Sequence, residues 1–357
     1  MHAAGIVGVP RLSGQHAMHA AGCARIARYL EIERPDMVLE RIGWREHRIA
    51  AEVDGQGIGH PLGSCEATRR GSNRGIPPAR QSAPKLGARQ RAKERNVMSR
   101  VHKVDISWDR RPGGVVANVV FDNARRLNVL NPPALLDLTE AFLGLAREDD
   151  LRAVVFSGAG GRAFIGGADI NHMANMRHPE DGRAFITLVH KLCQAIRDCP
   201  VPVICRLEGY TLGAGLEVAA ACDMRIAADN AHFGMPEVKV GIPSVVEAAL
   251  LPRLIGWGRT SWLLLTAETI DAATADRWGL VEQVVPAAKL DGAVERCVAS
   301  IVEATPKSVR AQKRLMRRWE RLPLDEAVQA GIDAFAQSVA DGEHIERMTA
   351  FVNRKRG

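Results

Sequence analysis

From residue 98 to the C-terminus, short β-branched runs alternate with segments of helical period, and this alternation limits the possible folds more than any other feature. Residues 115–121 are apolar and β-branched and predict a strand. Residues 132–147 carry Leu135, Leu136, Leu138, Phe142, Leu143 and Leu145 at helical spacing behind Asn131, a suitable cap. Residues 153–156 read as a short buried strand, and 185–196 as a helix ended by Asp198-Cys199-Pro200. A strand at 201–207, a helix at 215–221 and a strand at 224–227 follow. Such an order predicts an α/β fold whose helices cover a mostly parallel sheet. After Val284-Val285-Pro286 the pattern is helical throughout, over 289–304, 307–320, 324–340 and 342–355, as expected of an oligomerisation or lid region.

Residues 1–97 are of another kind. Residues 55–97 are rich in Gly, Pro, Ser and Arg without periodicity, the composition of a disordered segment, and 21–53 could form one or two helices with little apolar area to bury. The expected division is therefore an extension over 1–97, a catalytic core over 98–286 and a helical region over 287–357. Met98 reads as a natural start preceded by a translated leader; a transit peptide is the alternative, weakened by nine acidic residues in the extension. The net charge of +7 belongs to this extension: residues 1–97 hold 16 Lys/Arg and 9 Asp/Glu, and the remaining 32 of each cancel. A neutral main body argues against nucleic acid as a partner. Seven cysteines at irregular spacing, without C-x-x-C, point to reduced thiols and a cytoplasmic setting rather than a disulfide framework or a metal site. Cys205 and Cys222 sit in apolar stretches, as small buried residues do. No run of 18 apolar residues is present, so no membrane span is expected.

Two glycine-rich turns carry the chemical signal: Phe164-Ile165-Gly166-Gly167-Ala168-Asp169-Ile170 and Glu208-Gly209-Tyr210-Thr211-Leu212-Gly213-Ala214-Gly215-Leu216-Glu217. Gly213-Ala214-Gly215 follows a predicted strand and opens a predicted helix, so its amides belong to the unpaired donors of a helix N-terminus. Such donors stabilise an oxyanion, and small side chains let it approach the backbone. By itself Gly-x-Gly after a strand most often marks a tight turn. Dinucleotide binding is a sharper rival, since Gly213-x-Gly215-x-x-Val218 imitates G-x-G-x-x-G/A and Glu237 lies about 20 residues on. Against it, the third small residue is Val218, and Glu237 follows Pro236 in a polar turn. Glu217 alone would read as a first-turn glutamate complementing the helix dipole, and Glu237 alone as a solvated turn residue.

In combination these motifs resemble the enoyl-CoA hydratase/isomerase (crotonase) family. The resemblance runs from about Val104 to the C-terminus. It includes Ala231-His232-Phe233-Gly234-Met235-Pro236-Glu237 leading to Gly241-Ile242-Pro243, and Ala272-Ala273-Thr274-Ala275-Asp276-Arg277-Trp278-Gly279-Leu280-Val281. It implies a spiral of β-β-α repeats with a C-terminal helical region, an acyl-CoA thioester as substrate, and no metal or redox cofactor, coenzyme A being part of the substrate. The amides of Ala168 and Ala214 would form the oxyanion hole. Glu217 and Glu237 match the two catalytic glutamates of hydratases: one holds the water and takes its proton, while the other delivers a proton to the α-carbon. Coenzyme A would lie across the first turn, near Gly166, Ala168, Asp169, Ile170 and Gly213 and near Arg126-Leu127-Asn128, with Lys355 reaching a neighbouring subunit's phosphates. Members of the family form trimers or paired trimers.

Two positions depart from the family pattern. Position 214 is usually glycine. After Gly241-Ile242-Pro243 many hydratases have another glycine-rich stretch, where this chain has Ser244-Val245-Val246-Glu247-Ala248, which implies a bulkier acyl pocket. Glu247 reads either as a third carboxylate facing the substrate or as a first-turn glutamate, and His172 and His190 as pocket-facing or structural histidines. Hydration of trans-2-enoyl-CoA is the expected activity. An isomerase, lyase or hydrolase of the same fold is the near alternative, and a non-catalytic acyl-CoA-binding homologue the distant one.

Overall fold

The computed structural model describes residues 102–354. The extension over 1–97, the start at Met98 and the basic Lys355 lie outside the described residues. Strands β1 (Lys103–Arg111) and β2 (Gly114–Asp122) form an antiparallel hairpin. Pro112 presets the first turn dihedral and Gly113, at φ +96°, takes the left-handed one. β1 is additional to the strands anticipated from the sequence. Helix α1 (Pro132–Leu145) begins as its residues dictate: the Asn131 side chain accepts the Ala134 N–H at 3.0 Å, and proline opens the first turn.

Three repeats then build the centre. Strands β3 (Leu151–Gly158) and β4 (Ala163–Ile165) lead through the short α2 (Ile170–Met173) to α3 (Pro179–Asp198). Strands β5 (Val203–Leu207) and β6 (Tyr210–Leu212) lead to α4 (Ala214–Ala221). Strands β7 (Met224–Ala228) and β8 (His232–Gly234) lead to the 3-10 turns Glu237–Val240 and Val246–Leu250 and helices α5 (Leu251–Ile255) and α6 (Trp257–Thr266). β9 (Thr269–Asp271), α7 (Ala272–Trp278) and β10 (Gln283–Val285) follow.

The first strand of each repeat enters a six-stranded sheet of order β1-β2-β3-β5-β7-β10, parallel beyond the hairpin. The second enters a four-stranded sheet of order β4-β6-β8-β9. The mixed α/β spiral implied by the resemblance is thus present. α3 starts six residues before the expected Phe185, because Asp181 closes a capping box with His178 over a first turn that carries no apolar signal.

Alternate residues of the large sheet separate into two cores. Ala117, Val119, Phe121, Val154, Phe156, Val203 and Cys205 face the cluster shared with α1, α3 and α4. Val116, Ala153, Val155, Ile204 and Ile226 face Leu290, Ala293, Val294 and Val298 of α8 (Leu290–Glu303). Coverage of both faces explains why these strands read as continuous apolar runs. The chain ends in α9 (Pro306–Trp319), α10 (Leu324–Asp341) and α11 (Glu343–Arg354). α9 is fastened to the core by buried charge: Lys313 Nζ meets Asp223 Oδ2 at 2.6 Å and donates to the Val201 carbonyl at 2.8 Å, and Arg317 meets Asp223 Oδ1 at 2.9 Å. No helix among the described residues is long and apolar enough to cross a membrane.

Candidate active site

Strand pairing sets the two glycine turns side by side. β4 and β6 are parallel neighbours, with Ala163 opposite Tyr210 and Ile165 opposite Thr211, so the chain leaves both at the same edge. There Gly167, at φ +116°, passes the Leu212 carbonyl, and Gly215 packs so tightly on the Ile165 carbonyl that a Cβ would overlap it. In the Leu130–Ala168 bridge, the Gly167 carbonyl accepts the Leu130 N–H at 2.9 Å and the Asp169 N–H donates to the Leu130 carbonyl at 2.8 Å. Amides alternate in direction along an extended chain, so the Ala168 N–H turns away from Leu130. Ala214 is the first residue of α4; the Leu216 and Glu217 amides both return to the Gly213 carbonyl, and the Ala214 amide precedes the helical ladder. Both alanines line one cleft of about 530 Å³.

Glu217 and Glu237 line the same cleft. Glu217 stands in the first turn of α4, is 4% exposed, and accepts the Ala248 N–H on Oε1 at 3.3 Å. Burial first, and then the charge of Glu237, pushes its carboxyl up to about 8. Glu237 opens the turn Glu237–Val240, and its Oε2 accepts the Ser244 hydroxyl at 2.9 Å. Burial raises its pKa also, opposed by its own backbone amide and by Ser244. Gly213, at φ +51°, lets the Glu237 carboxylate come against the backbone where any Cβ would collide with Oε1. Two acids that are both disfavoured as anions titrate as a pair, and the pair retains a proton near neutrality.

Of the other expected contact residues, Gly166, Ile170 and Gly213 line this cleft, and Arg126, Leu127 and Asp169 adjoin its rim through the Gly166–Ile170 turn. Leu127 and Asn128 adopt left-handed φ of +54° and +55°, and the Leu127 carbonyl accepts the Gly166 N–H at 2.8 Å. Arg126 Nη1 meets Asp169 Oδ2 at 3.3 Å, while Asp169 Oδ1 caps α2 by accepting the Asn171 N–H at 3.0 Å. The Asp169 side chain is thereby committed to holding the rim together. Ile170 is exposed at the cleft mouth. Met173, Met176, Phe185, Ile186, Val189 and Val245 form an apolar wall, Val245 coming from the stretch after Gly241-Ile242-Pro243. Glu247 does sit in the first turn of Val246–Leu250, but behind Val245 and paired with His190 at 2.8 Å. His172 packs against Phe185, ring centroids 5.3 Å apart.

Residues 111–357 match the model of a family described as enoyl-CoA hydratase/isomerase. The chain belongs to that family. A short-chain-enoyl-CoA hydratase of Clostridium acetobutylicum is 34% identical over 244 residues, covering 68% of this chain and 93% of that protein. A crotonyl-CoA hydratase of Syntrophomonas wolfei is 34% identical over 242 residues, with coverage of 68% and 93%. The crystal structure of an enoyl-CoA hydratase from Bacillus anthracis matches with a TM-score of 0.65 at 30% identity, covering 70% of this chain and 96% of that one.

Two features of this enoyl-CoA hydratase/isomerase member escaped sequence reasoning. Ser244 orients Glu237 across seven residues, a contact that exists only because Gly241, at φ +83°, reverses the chain between them. The pairing of His190 with Glu247 spans 57 positions, and no local spacing announces it.

Proposed function

We propose that this protein catalyses the reversible addition of water to a trans-2-enoyl-CoA, giving a 3-hydroxyacyl-CoA. The observation that carries this reading is the placement of two carboxyls whose pKa values burial raises, Glu217 and Glu237, in one apolar cleft beside Ala168 and Ala214. The amides of these two alanines would receive the thioester oxygen as it gains charge on enolisation. The ionised carboxylate takes a proton from water as its oxygen bonds to the β-carbon, and the protonated partner delivers a proton to the α-carbon. Coenzyme A would extend along the rim of Arg126, Leu127, Gly166, Asp169, Ile170 and Gly213. The chemistry asks for no metal or redox partner. Relatives named for hydration of short-chain and crotonyl thioesters support the same assignment. Five unpaired cysteines among the described residues support a reducing, cytoplasmic setting. An apolar stripe on α10 supports assembly into trimers or pairs of trimers.

Mixing purified protein with crotonyl-CoA, and separately with a longer 2-enoyl-CoA, should remove the conjugated enoyl-thioester absorbance. Glu217→Gln and Glu237→Gln should each lower kcat by ~10²–10⁴-fold with little change in acyl-CoA affinity. Acyl-CoA binding without absorbance loss would overturn hydration in favour of isomerase, hydrolase or non-catalytic binding.

A further inference from the structure

The two acids of the cleft are held by different kinds of group. Glu217 Oε1 takes the Ala248 N–H at 3.3 Å, a backbone group that can only donate. Glu237 is held by its own backbone amide and by one neighbouring side chain, the hydroxyl of Ser244, 2.9 Å from Oε2.

The path from Glu237 to Ser244 is fixed at several points. The Glu237 carbonyl accepts the Ile242 N–H at 3.2 Å, Gly241 takes φ +83°, and Pro243 restricts the backbone just before the serine. Lys239 Nζ donates to the Ala267 carbonyl at 2.7 Å, which ties the same turn to the end of α6. Residue 237 is thus bonded to the segment 241–244 through its backbone and through its carboxylate. Such a hold has a purpose, because the lip of the cleft is open: Val238, Val240 and Ile242 are all exposed. A glutamate without a partner there would sample several rotamers. Its other oxygen, Oε1, lies against the Gly213 backbone, where α4 begins with Ala214. Rotation of the side chain would carry Oε1 away from that point.

A hydroxyl suits this place for a chemical reason. It donates to a carboxylate and accepts from a carboxyl, so the contact persists whether Glu237 is ionised or protonated. An ammonium would fasten only the anion, and a methyl group neither form. We propose that Ser244 is a positioning residue for Glu237, keeping its carboxyl in one rotamer beside Gly213 in both protonation states. Of the other titratable groups, Glu217 lines the same cleft from α4, and Lys239 in the glutamate's own turn is engaged by Ala267. Ser244 belongs to the stretch in which this chain departs from the family pattern. An acid that gives up a proton and takes one back in each turnover needs a hold of this kind, a point that rests on the hydratase reading.

Two measurements on the full-length protein test the proposal. With crotonyl-CoA, Ser244→Ala should lower kcat by ~10–10²-fold while KM changes less than about twofold, and Ser244→Thr, which keeps the hydroxyl, should recover most of the loss. In a Glu237→Gln background, Ser244→Ala should lower kcat no further, since the serine acts through the glutamate. An unchanged kcat in Ser244→Ala, a Ser244→Thr no better than alanine, or an equal loss in the Glu237→Gln background overturns the proposal. The second measurement needs no turnover: crystal structures at about pH 5 and pH 9. Ser244 Oγ should stay within hydrogen-bond distance of Oε2 in both, and Glu237 should spread over more than one rotamer in Ser244→Ala. A glutamate that leaves Ser244 at either pH, or keeps its place without the hydroxyl, overturns the proposal. If the contact persists but crotonyl-CoA is not hydrated, the positioning stands and the hydratase reading fails. If hydration proceeds and the contact breaks, the reverse holds.

Discussion

Glu217 occupies a helix turn otherwise built from Ala, Gly, Leu and Val, and every residue of α4 is buried. Its carboxyl is raised from an ordinary 4.5 to about 8, so across that window the folded chain binds a proton that the unfolded chain releases. Stability from this group is complete below the unfolded value and is lost as pH rises toward 8. Glu217→Gln, neutral at all pH, should therefore raise the unfolding free energy at pH 9 by on the order of 4 kcal/mol, the gain shrinking toward pH 4. Urea unfolding of both proteins across that range checks it; an equal effect at all pH would contradict the cause. Glu217 and Glu237 could be singled out in the sequence only through their resemblance to the family's motifs, since each alone reads as an ordinary turn glutamate; the structure sets both in one cleft. Ser244, His190 and Glu247 were not legible, since their meaning lies in contacts that only the folded chain makes.

At the scale of elements, one carboxylate gathers two of the cations that tie α9 to the core. Asp223 accepts Lys313 and the Val203 amide on one oxygen and Arg317 on the other, and Lys313 is 5% exposed. Asp223→Ala should destabilise the protein by about 3–5 kcal/mol, because it leaves a buried ammonium unpaired. Adding Lys313→Met should return part of the loss, as measured by denaturant midpoint; no recovery would place the cost in the Val203 amide instead. The sequence announced long elements well: β2, α1, α3, α4, β7 and the four tail helices carry enough residues to show a period. β4, β6, β8 and β9, three residues each, do not. β1 did alternate, with Val104, Ile106 and Trp108 against Asp105, Ser107 and Asp109, but an edge strand so charged gave no apolar run to notice.

At the scale of the molecule, Leu324, Val328, Ile332, Phe335 and Val339 stand exposed at spacings of three and four along α10, with Ile345 and Met348 on α11. Apolar stripes of this length mark an interface. Light scattering should give the mass of three or six chains, and the double variant Ile332→Asp, Phe335→Asp should reduce it to one. A wild-type monomer at micromolar concentration would refute the assembly.

The pairing of β4 with β6 also has a bearing on how such a protein can diversify. The candidate oxyanion donors follow adjacent parallel strands, whose spacing of about 4.8 Å is a backbone dimension that no side chain adjusts. The apolar wall, by contrast, is carried by α2, α3 and the segment at Val245. Substitutions at Met173, Met176, Ile186 or Val245 can reshape the apolar wall of the candidate site while the polar gauge stays constant, so the preference for an apolar group is free to drift along a lineage without retooling the chemistry.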